Sequence, residues 1–307
     1  MKRFSLKKDS YGYIFIIPFF VVFLGLQLYH ILYTLYLSFQ QYDGISSAQF
    51  IGFGNYARLV KDPVFLKSIY NTWRIWLCNF IPQLIFGLGL AALLTQSRLK
   101  GRGFFRAVYF LPNLVTAASI GILFSILLGR QYGTINQILL RIGLIEEPIY
   151  FLGSPGLYGW GWPSITVSAI LWWMWFGHSM IIFMAGIRAI PDNLYEAARV
   201  DGANGCQSFW KITLPLLRPI MIYVLVTSLI GGMQNFDIPY VIGEGVTLGT
   251  GEPQKVLLTM VMYLYNTAFK YGNRGYAAAI AYGLFFIILV FSIIIFVFMQ
   301  RREKQEV

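Results

Sequence analysis

The sequence predicts an all-α membrane protein with six transmembrane helices, and three observations support this fold class. Apolar residues make up 57 % of the chain and charged residues only 12 %, whereas soluble proteins are about one-quarter charged. The apolar residues are gathered into six windows, five of which match the roughly 20 residues needed to span a bilayer. Lysines and arginines lie mainly in short segments between the windows, as in proteins that cross a membrane several times.

The windows are residues 14–39, 73–94, 107–128, 165–187, 219–230 and 276–299. The first follows a basic segment but is too long for the core of a secretory signal, so we expect it to be retained as a helix. The fifth window is short. It reaches the length of a span only if it borrows residues 212–217 or continues towards Tyr240.

The distribution of positive charge predicts the orientation of the chain. With six crossings, 15 of the 24 lysines and arginines fall on the side of the N-terminus, in short segments. Such an excess marks the cytoplasmic side. We therefore predict that both termini and the polar loop 190–219, between the fourth and fifth helices, are cytoplasmic. Topology and anionic lipid explain the net charge of +11, so no nucleic-acid partner is expected.

The absence of several motifs bears on the source of energy. No charged residue lies within residues 165–187, and ion-driven carriers usually keep such residues inside their bundle. A channel whose selectivity filter is a ring of charged side chains is disfavoured for the same reason. The chain has no phosphate-binding loop and no hydrolase motif. Cys78 and Cys206 suggest neither a disulfide nor a metal site. We therefore expect a protein that is not an enzyme, holds no metal and depends on energy supplied elsewhere.

The fourth window contains a cluster of aromatic side chains that are candidates for contact with a sugar. Trp172, Trp173, Trp175 and His178 lie within seven residues. At about 100° per residue, Trp175 and His178 share a helix face with Trp172 nearby, and Trp173 points elsewhere. Indoles with one polar side chain suit a sugar ring, which has apolar C–H faces and hydroxyls at its rim. Ordinary aromatic packing around a hydrogen-bonded histidine is the alternative.

Amides and glycines inside the spans provide further candidates. Asn79 and Gln83 in the second window are interpreted as residues that pack helices together. In the fifth window, the pair Gly231-Gly232 precedes the amides Gln234-Asn235. Two adjacent glycines are costly in a helix and disfavoured in lipid, so this segment should face protein or a water-filled cavity. A helix terminus with its cap is the alternative. The predicted substrate-binding residues are Ser228, Gln234, Asn235, Trp173, Trp175 and His178.

The loop 190–219 is the polar exception between two apolar windows. Pro191 is tolerated in the first turn of a helix, so a short helix can begin there. Leu194, Ala197, Ala198 and then Asp201-Gly202 follow at spacings that place them along one side. These small side chains would let a partner surface approach closely, and Glu196 would be free to pair with a cationic group.

With this loop the chain resembles the permeases of bacterial ABC importers, and in detail the maltose-type subfamily that moves di- and oligosaccharides. The loop motifs are Leu194-Tyr195-Glu196-Ala197-Ala198, Asp201-Gly202-Ala203 and Leu214-Pro215. Further similar motifs between Tyr11 and Gln300 are Gly52-Phe53-Gly54-Asn55-Tyr56, Asp62-Pro63, Asn71-Thr72, Leu111-Pro112, Gly133-Thr134-Ile135-Asn136, Phe236-Asp237 and Tyr265-Asn266-Thr267-Ala268-Phe269. One departure is Gly243-Glu244-Gly245, where such permeases often have a Gly-Gly-Pro run, in the outer loop expected to contact a binding protein.

The resemblance implies that residues 1–307 form a single permease domain in the bacterial plasma (inner) membrane, with 190–219 as its coupling loop. The implied partners are a second homologous permease, a pair of ATPase subunits, an extracytoplasmic sugar-binding protein, the sugar and membrane lipid. ATP and magnesium would bind to the ATPase, and this chain would hold no cofactor. A self-sufficient secondary carrier or channel for a neutral solute is the competing hypothesis. The residues implied to couple the permease to the ATPase are Glu196, Ala197, Ala198, Asp201, Gly202, Leu214 and Pro215.

Overall fold

The computed structural model describes residues 10–95, 100–153, 161–246 and 256–303, and most of them are helical. Two short strands, β1 (Gln40–Gln41) and β2 (Gln49–Phe50), pair in antiparallel orientation. The helices, with three π-helical segments, are α1 (Ser10–Val22), the π segment Phe23–Leu28, α2 (Tyr29–Ser38), α3 (Gly54–Lys61), α4 (Pro63–Thr95), α5 (Arg102–Leu114), α6 (Ala117–Leu127), α7 (Thr134–Arg141), α8 (Trp162–Ala189), α9 (Asp192–Val200), α10 (Gly205–Ser208), the π segment Phe209–Thr213, α11 (Leu214–Leu216), α12 (Arg218–Met233), α13 (Asp237–Val246), α14 (Met260–Tyr265), the π segment Asn266–Lys270 and α15 (Arg274–Glu303).

Five helical stretches of the described chain are long and apolar enough to cross a membrane, which confirms the predicted all-α membrane fold. They are Phe15–Ser38, Pro63–Thr95, Trp162–Ala189, Arg218–Gly243 and Arg274–Val297. The predicted third span corresponds to α5 and α6, which are bent by 93° relative to each other. The number of spans is therefore six only when this bent pair is counted as one.

The bend between α5 and α6 has a local cause. Val115 and Thr116 are both extended, with ψ angles of 143° and 139°. The side-chain oxygen of Thr116 accepts a hydrogen bond from the backbone N–H of Ser119, so Thr116 caps a new helix. Because the flanking residues are apolar, the mean hydropathy of a window of this length does not reveal the cap.

The fifth predicted span reaches membrane length by continuing towards Tyr240, one of the two extensions expected. The stretch Arg218–Gly243 consists of α12 and most of α13, with a break at residues 234–236. Gly243-Glu244-Gly245, predicted to begin an outer loop, lies in the last turns of α13. Residues 247–255 lie outside the described part of the chain, as do Lys2, Arg3, Lys7, Lys8, Arg98 and Lys304, on which part of the predicted orientation rests.

Contacts divide the chain into two compact units. The first comprises Met1–Asp62 and Leu264–Gly283. Within it, the side-chain amide of buried Asn55 donates to the carbonyl oxygens of Ser38 and Gln40, at 2.9 and 2.8 Å. This amide therefore holds the start of α3 against the end of α2 and the strand β1.

The second unit comprises Pro63–Tyr263 and Leu284–Val307, and α4 and α8 pack against each other within it. Gln83 of α4 donates a hydrogen bond to the hydroxyl of Ser179 on α8, at 2.8 Å. Beside this pair is an apolar core that includes Trp76, Phe80, Met180, Phe183, Leu229 and Met233. This core holds α4, α8 and α12 together within the second unit.

Candidate functional site

A cavity of about 240 Å³ lies within the second unit, between α4, α6, α8, α12 and the break before α13. Pockets for drug-sized ligands usually measure about 300–1,000 Å³, so this cavity suits a small solute or one part of a longer one. The structure brings five of the six predicted substrate-binding residues to it. They are Ser228, Gln234, Asn235, Trp175 and His178.

The aromatic wall of the cavity comes from α8. The rings of Trp175 and His178 meet edge to face, with centroids 5.7 Å apart and planes at 89°. Trp175 is 40 % exposed, whereas Met174 and Phe176 on either side of it are buried. An exposed indole next to an imidazole offers a solute an apolar face and one polar group.

Trp173, the sixth predicted residue, does not line the cavity. Its ring packs edge to face against Phe124 of α6, with centroids 5.6 Å apart. Two residues along a helix correspond to a rotation of about 200°, so Trp173 and Trp175 must point in different directions. The structure therefore places Trp173 between α8 and α6, outside the described lining of the cavity.

The break between α12 and α13 places the amides. Helical hydrogen bonding continues to the N–H of Gln234, which donates to the carbonyls of Ile230 and Gly231, and α12 ends at Met233. The carbonyl oxygen of Asn235 accepts a hydrogen bond from Thr259 Oγ1 at 2.9 Å. Because this external partner satisfies the backbone, the chain can leave the helix and direct Gln234 and Asn235 to the cavity.

Several polar lining residues were not identified from the sequence as solute contacts. The sequence predicts that Asn79 and Gln83 pack helices together, and Gln83 does bond to Ser179, but both residues also line the cavity. Their i, i+4 spacing places them on one face of α4, and this pattern could have indicated a shared surface. Ser179, Thr227 and Asp237 complete the polar lining.

The described lining of the cavity is rich in neutral polar groups and contains no lysine or arginine. In the described part of the chain, no three His, Cys, Asp or Glu residues are arranged to hold a metal ion. Amides and hydroxyls can donate and accept hydrogen bonds, which matches a solute that carries many hydroxyl groups.

The loop 190–219 forms a second candidate site. Pro191 is extended, with φ −61° and ψ 133°, and it precedes α9 instead of occupying the first turn as predicted. No residue of α9 is buried. The hydroxyl of Tyr195 lies 2.8 Å from Thr213 Oγ1, which ties the helix to the segment that leads into α12.

Gly202 ends α9. It has a φ of +80°, which favours glycine. Its N–H donates to the carbonyl of Arg199, and the N–H of Ala203 donates to the carbonyl of Ala198. These two hydrogen bonds form a Schellman motif, in which a glycine satisfies the last carbonyls of a helix. Gly202 thus forms the C-terminal cap of α9.

The predicted coupling residues occupy three settings. Glu196, Ala197, Asp201 and Gly202 are exposed, whereas Ala198 is half-buried on the side of Tyr195. Leu214 and Pro215 are half-buried in α11, on the way back to α12. The exposed side of α9 also carries Val200, which is 89 % exposed. An exposed valine beside alanine and glutamate is a surface that a partner could cover.

Comparisons with known proteins agree with these observations. Residues 83–304 match the family described as binding-protein-dependent transport system inner membrane component. The chain is 33 % identical to the lactose transport system permease protein LacF of Rhizobium radiobacter, over 98 % of each chain. It is also 33 % identical to the arabinooligosaccharides transport system permease protein AraP of Bacillus subtilis, over 94 % of this chain and 88 % of that protein.

Two solved structures are similar in fold. One is a bacterial ABC transporter involved in the import of the acidic polysaccharide alginate, with a TM-score of 0.76 and 25 % identity over 96 % of both chains. The other is a bacterial alginate transporter in complex with a periplasmic protein that holds an alginate pentasaccharide, with a TM-score of 0.76 and 24 % identity over 94 % of this chain and 93 % of that one.

Proposed function

The chain belongs to the family of binding-protein-dependent transport system inner membrane components, and we propose that it is the permease subunit that passes a di- or oligosaccharide across the membrane. Members of this family are inner-membrane permeases of ABC importers and are not enzymes. The observation that carries the proposal is the cavity in the second unit. It combines amides, hydroxyls and an exposed indole on the walls of one partly open cavity.

The chemistry of the lining supports a sugar as the solute. Asn235, Gln234 and Ser228 can exchange hydrogen bonds with hydroxyl groups, and Trp175 offers its ring to the C–H face of a sugar. Relatives are named for lactose, arabinooligosaccharides and multiple sugars. A cavity of this size would hold one segment of a chain at a time, which is compatible with an oligosaccharide that passes through stepwise.

Energy would enter through α9. A protein of this family depends on a binding protein outside, and we propose a second permease and a pair of ATPase subunits as further partners. Glu196, Ala197 and Val200 form an exposed surface that would dock on an ATPase subunit, in which ATP and magnesium would bind. Closure of the ATPase pair would bias the spans between inward- and outward-open states through its contacts with this helix.

The test is reconstitution of the complete importer in vesicles. We expect ATP hydrolysis to rise when the loaded sugar-binding protein is added, and the sugar to accumulate only when ATP is supplied on the cytoplasmic side. A panel of di- and oligosaccharides would identify the substrate. Sugar uptake driven by an ion gradient without ATPase subunits would contradict the proposal and favour a self-sufficient secondary carrier.

A further inference from the structure

Asp237 is a negatively charged residue on the wall of the cavity. It is the first residue of α13 and follows directly on the break that places the amides. Its side chain is exposed to the cavity and is not part of the apolar core. The amino end of a helix favours a carboxylate, so α13 supports a negative charge at this position.

The cavity has little to balance this charge. Among the described residues that line it, His178 and Asp237 are the titratable ones, and lysine and arginine are absent. His178 lies against the indole of Trp175 on α8. The remaining polar groups of the lining are neutral amides and hydroxyls.

A single charge has a large effect in such a setting. Two nearby unit charges interact several-fold more strongly at a protein surface than in bulk water, because the effective dielectric constant is lower there. An anionic solute would therefore meet repulsion at Asp237, and an ammonium group would be attracted. A neutral sugar would find an acceptor for its hydroxyl hydrogens.

We propose that Asp237 sets the charge selectivity of the cavity, so that the cavity accepts neutral and amine-bearing sugars and disfavours carboxylated ones. This inference rests on the proposed function where it names sugars, while the negative potential belongs to the cavity whatever the solute is.

The electrostatic potential in the cavity can be measured without any sugar. A reporter cysteine is introduced at Thr227, with Gln234 as a second position, after Cys78 and Cys206 have been replaced by serine. The assembled importer is then treated with methanethiosulfonate reagents that carry either an ammonium or a sulfonate group. The quantity measured is the ratio of the two labelling rates.

We expect Asp237→Asn to lower the ratio of ammonium to sulfonate labelling by about tenfold, the order of effect of a nearby unit charge. Asparagine has nearly the size and shape of aspartate and differs mainly in charge, so α13 should be retained. Asp237→Glu should keep the ratio, and Glu147→Gln, which changes the net charge equally on an exposed loop, should leave it unchanged. An unaltered ratio in Asp237→Asn, or an equal fall in Glu147→Gln, would overturn the proposal.

A sugar experiment separates this proposal from the broader function. The purified importer is tested for direct binding of a neutral glucose trimer, a glucosamine trimer and a galacturonate trimer. We expect Asp237→Asn to weaken binding of the glucosamine trimer relative to the glucose trimer, and to strengthen binding of the galacturonate trimer. If the labelling ratio responds but no trimer binds, the charge assignment is supported and the proposed sugar function fails. If the trimers bind in the same order in both proteins, the charge assignment fails alone.

Discussion

The indole N–H of Trp76 donates a hydrogen bond to the hydroxyl oxygen of Ser228, 3.2 Å away, and thereby links α4 to α12 on the wall of the cavity. A serine hydroxyl that accepts from an indole keeps its own hydrogen to donate. Ser228 is thus held in an orientation in which it can donate to a sugar oxygen. Trp76 is nearly buried and stacks on Phe80, so its position is fixed by the core.

The same indole leaves no space for a side chain at Gly232. A Cβ atom at Gly232 would lie 2.0 Å from Cδ1 of Trp76, closer than any real contact. We expect Gly232→Ala to force the indole away from Ser228 and to destabilise the second unit by about 1–3 kcal/mol, the usual cost of overpacking. Thermal unfolding of the purified importer would measure this loss.

Gly231→Ala is the matched control for that change, because nothing lies within 4 Å of the added atom. Alanine is the better helix former by about 1 kcal/mol, so this variant should be neutral or slightly more stable. Equal unfolding temperatures for the Gly231→Ala and Gly232→Ala variants would show that Trp76 does not limit the space at Gly232.

Trp175 and Trp173 provide a second matched pair, on one helix. Both are indoles of similar exposure, at 40 % and 38 %, but only Trp175 lines the cavity. We expect Trp175→Ala to raise the sugar concentration for half-maximal uptake by about tenfold, equivalent to ~1.4 kcal/mol of binding. Trp173→Ala should change this concentration little, since its ring packs on Phe124. The reverse order would assign the sugar to the other face of α8.

The sequence predicts the helices well because apolar windows of membrane length have few alternatives in lipid. The bend after α5 escaped prediction because it depends on the cap at Thr116, a local feature that an averaged hydropathy does not detect. The sequence predicts that Gln234 and Asn235 face protein or a cavity, because the Gly-Gly pair ahead of them is costly in a helix and disfavoured in lipid. Gln83 was interpreted only as a packing residue, since a buried amide has the same sequence pattern whether it bonds to a helix, a solute or both.

The orientation of the loop 190–219 is a prediction that Cys206 can test. Its side chain is exposed in this loop, whereas Cys78 is half-buried in α4. We expect a membrane-impermeant maleimide to label the chain in inside-out vesicles and not in right-side-out vesicles. Cys206→Ser should abolish the labelling. Labelling of Cys206 from the outer side would place the loop and both termini outside the cytoplasm.

Glu196 is an exposed charged residue near the middle of α9, between exposed Asp192 and Arg199, and should pair with a cationic group of the ATPase. We expect Glu196→Lys to abolish sugar-stimulated ATP hydrolysis, because a like charge replaces the attraction at a docking surface. The fold of α9 should persist, since no residue of the helix is buried and its C-terminal cap at Gly202 is untouched. Glu146→Lys, the same charge change on an exposed loop, should retain stimulation. If Glu196→Lys reaches the membrane in normal amounts and hydrolysis still responds to sugar, then the ATPase docks elsewhere than on α9.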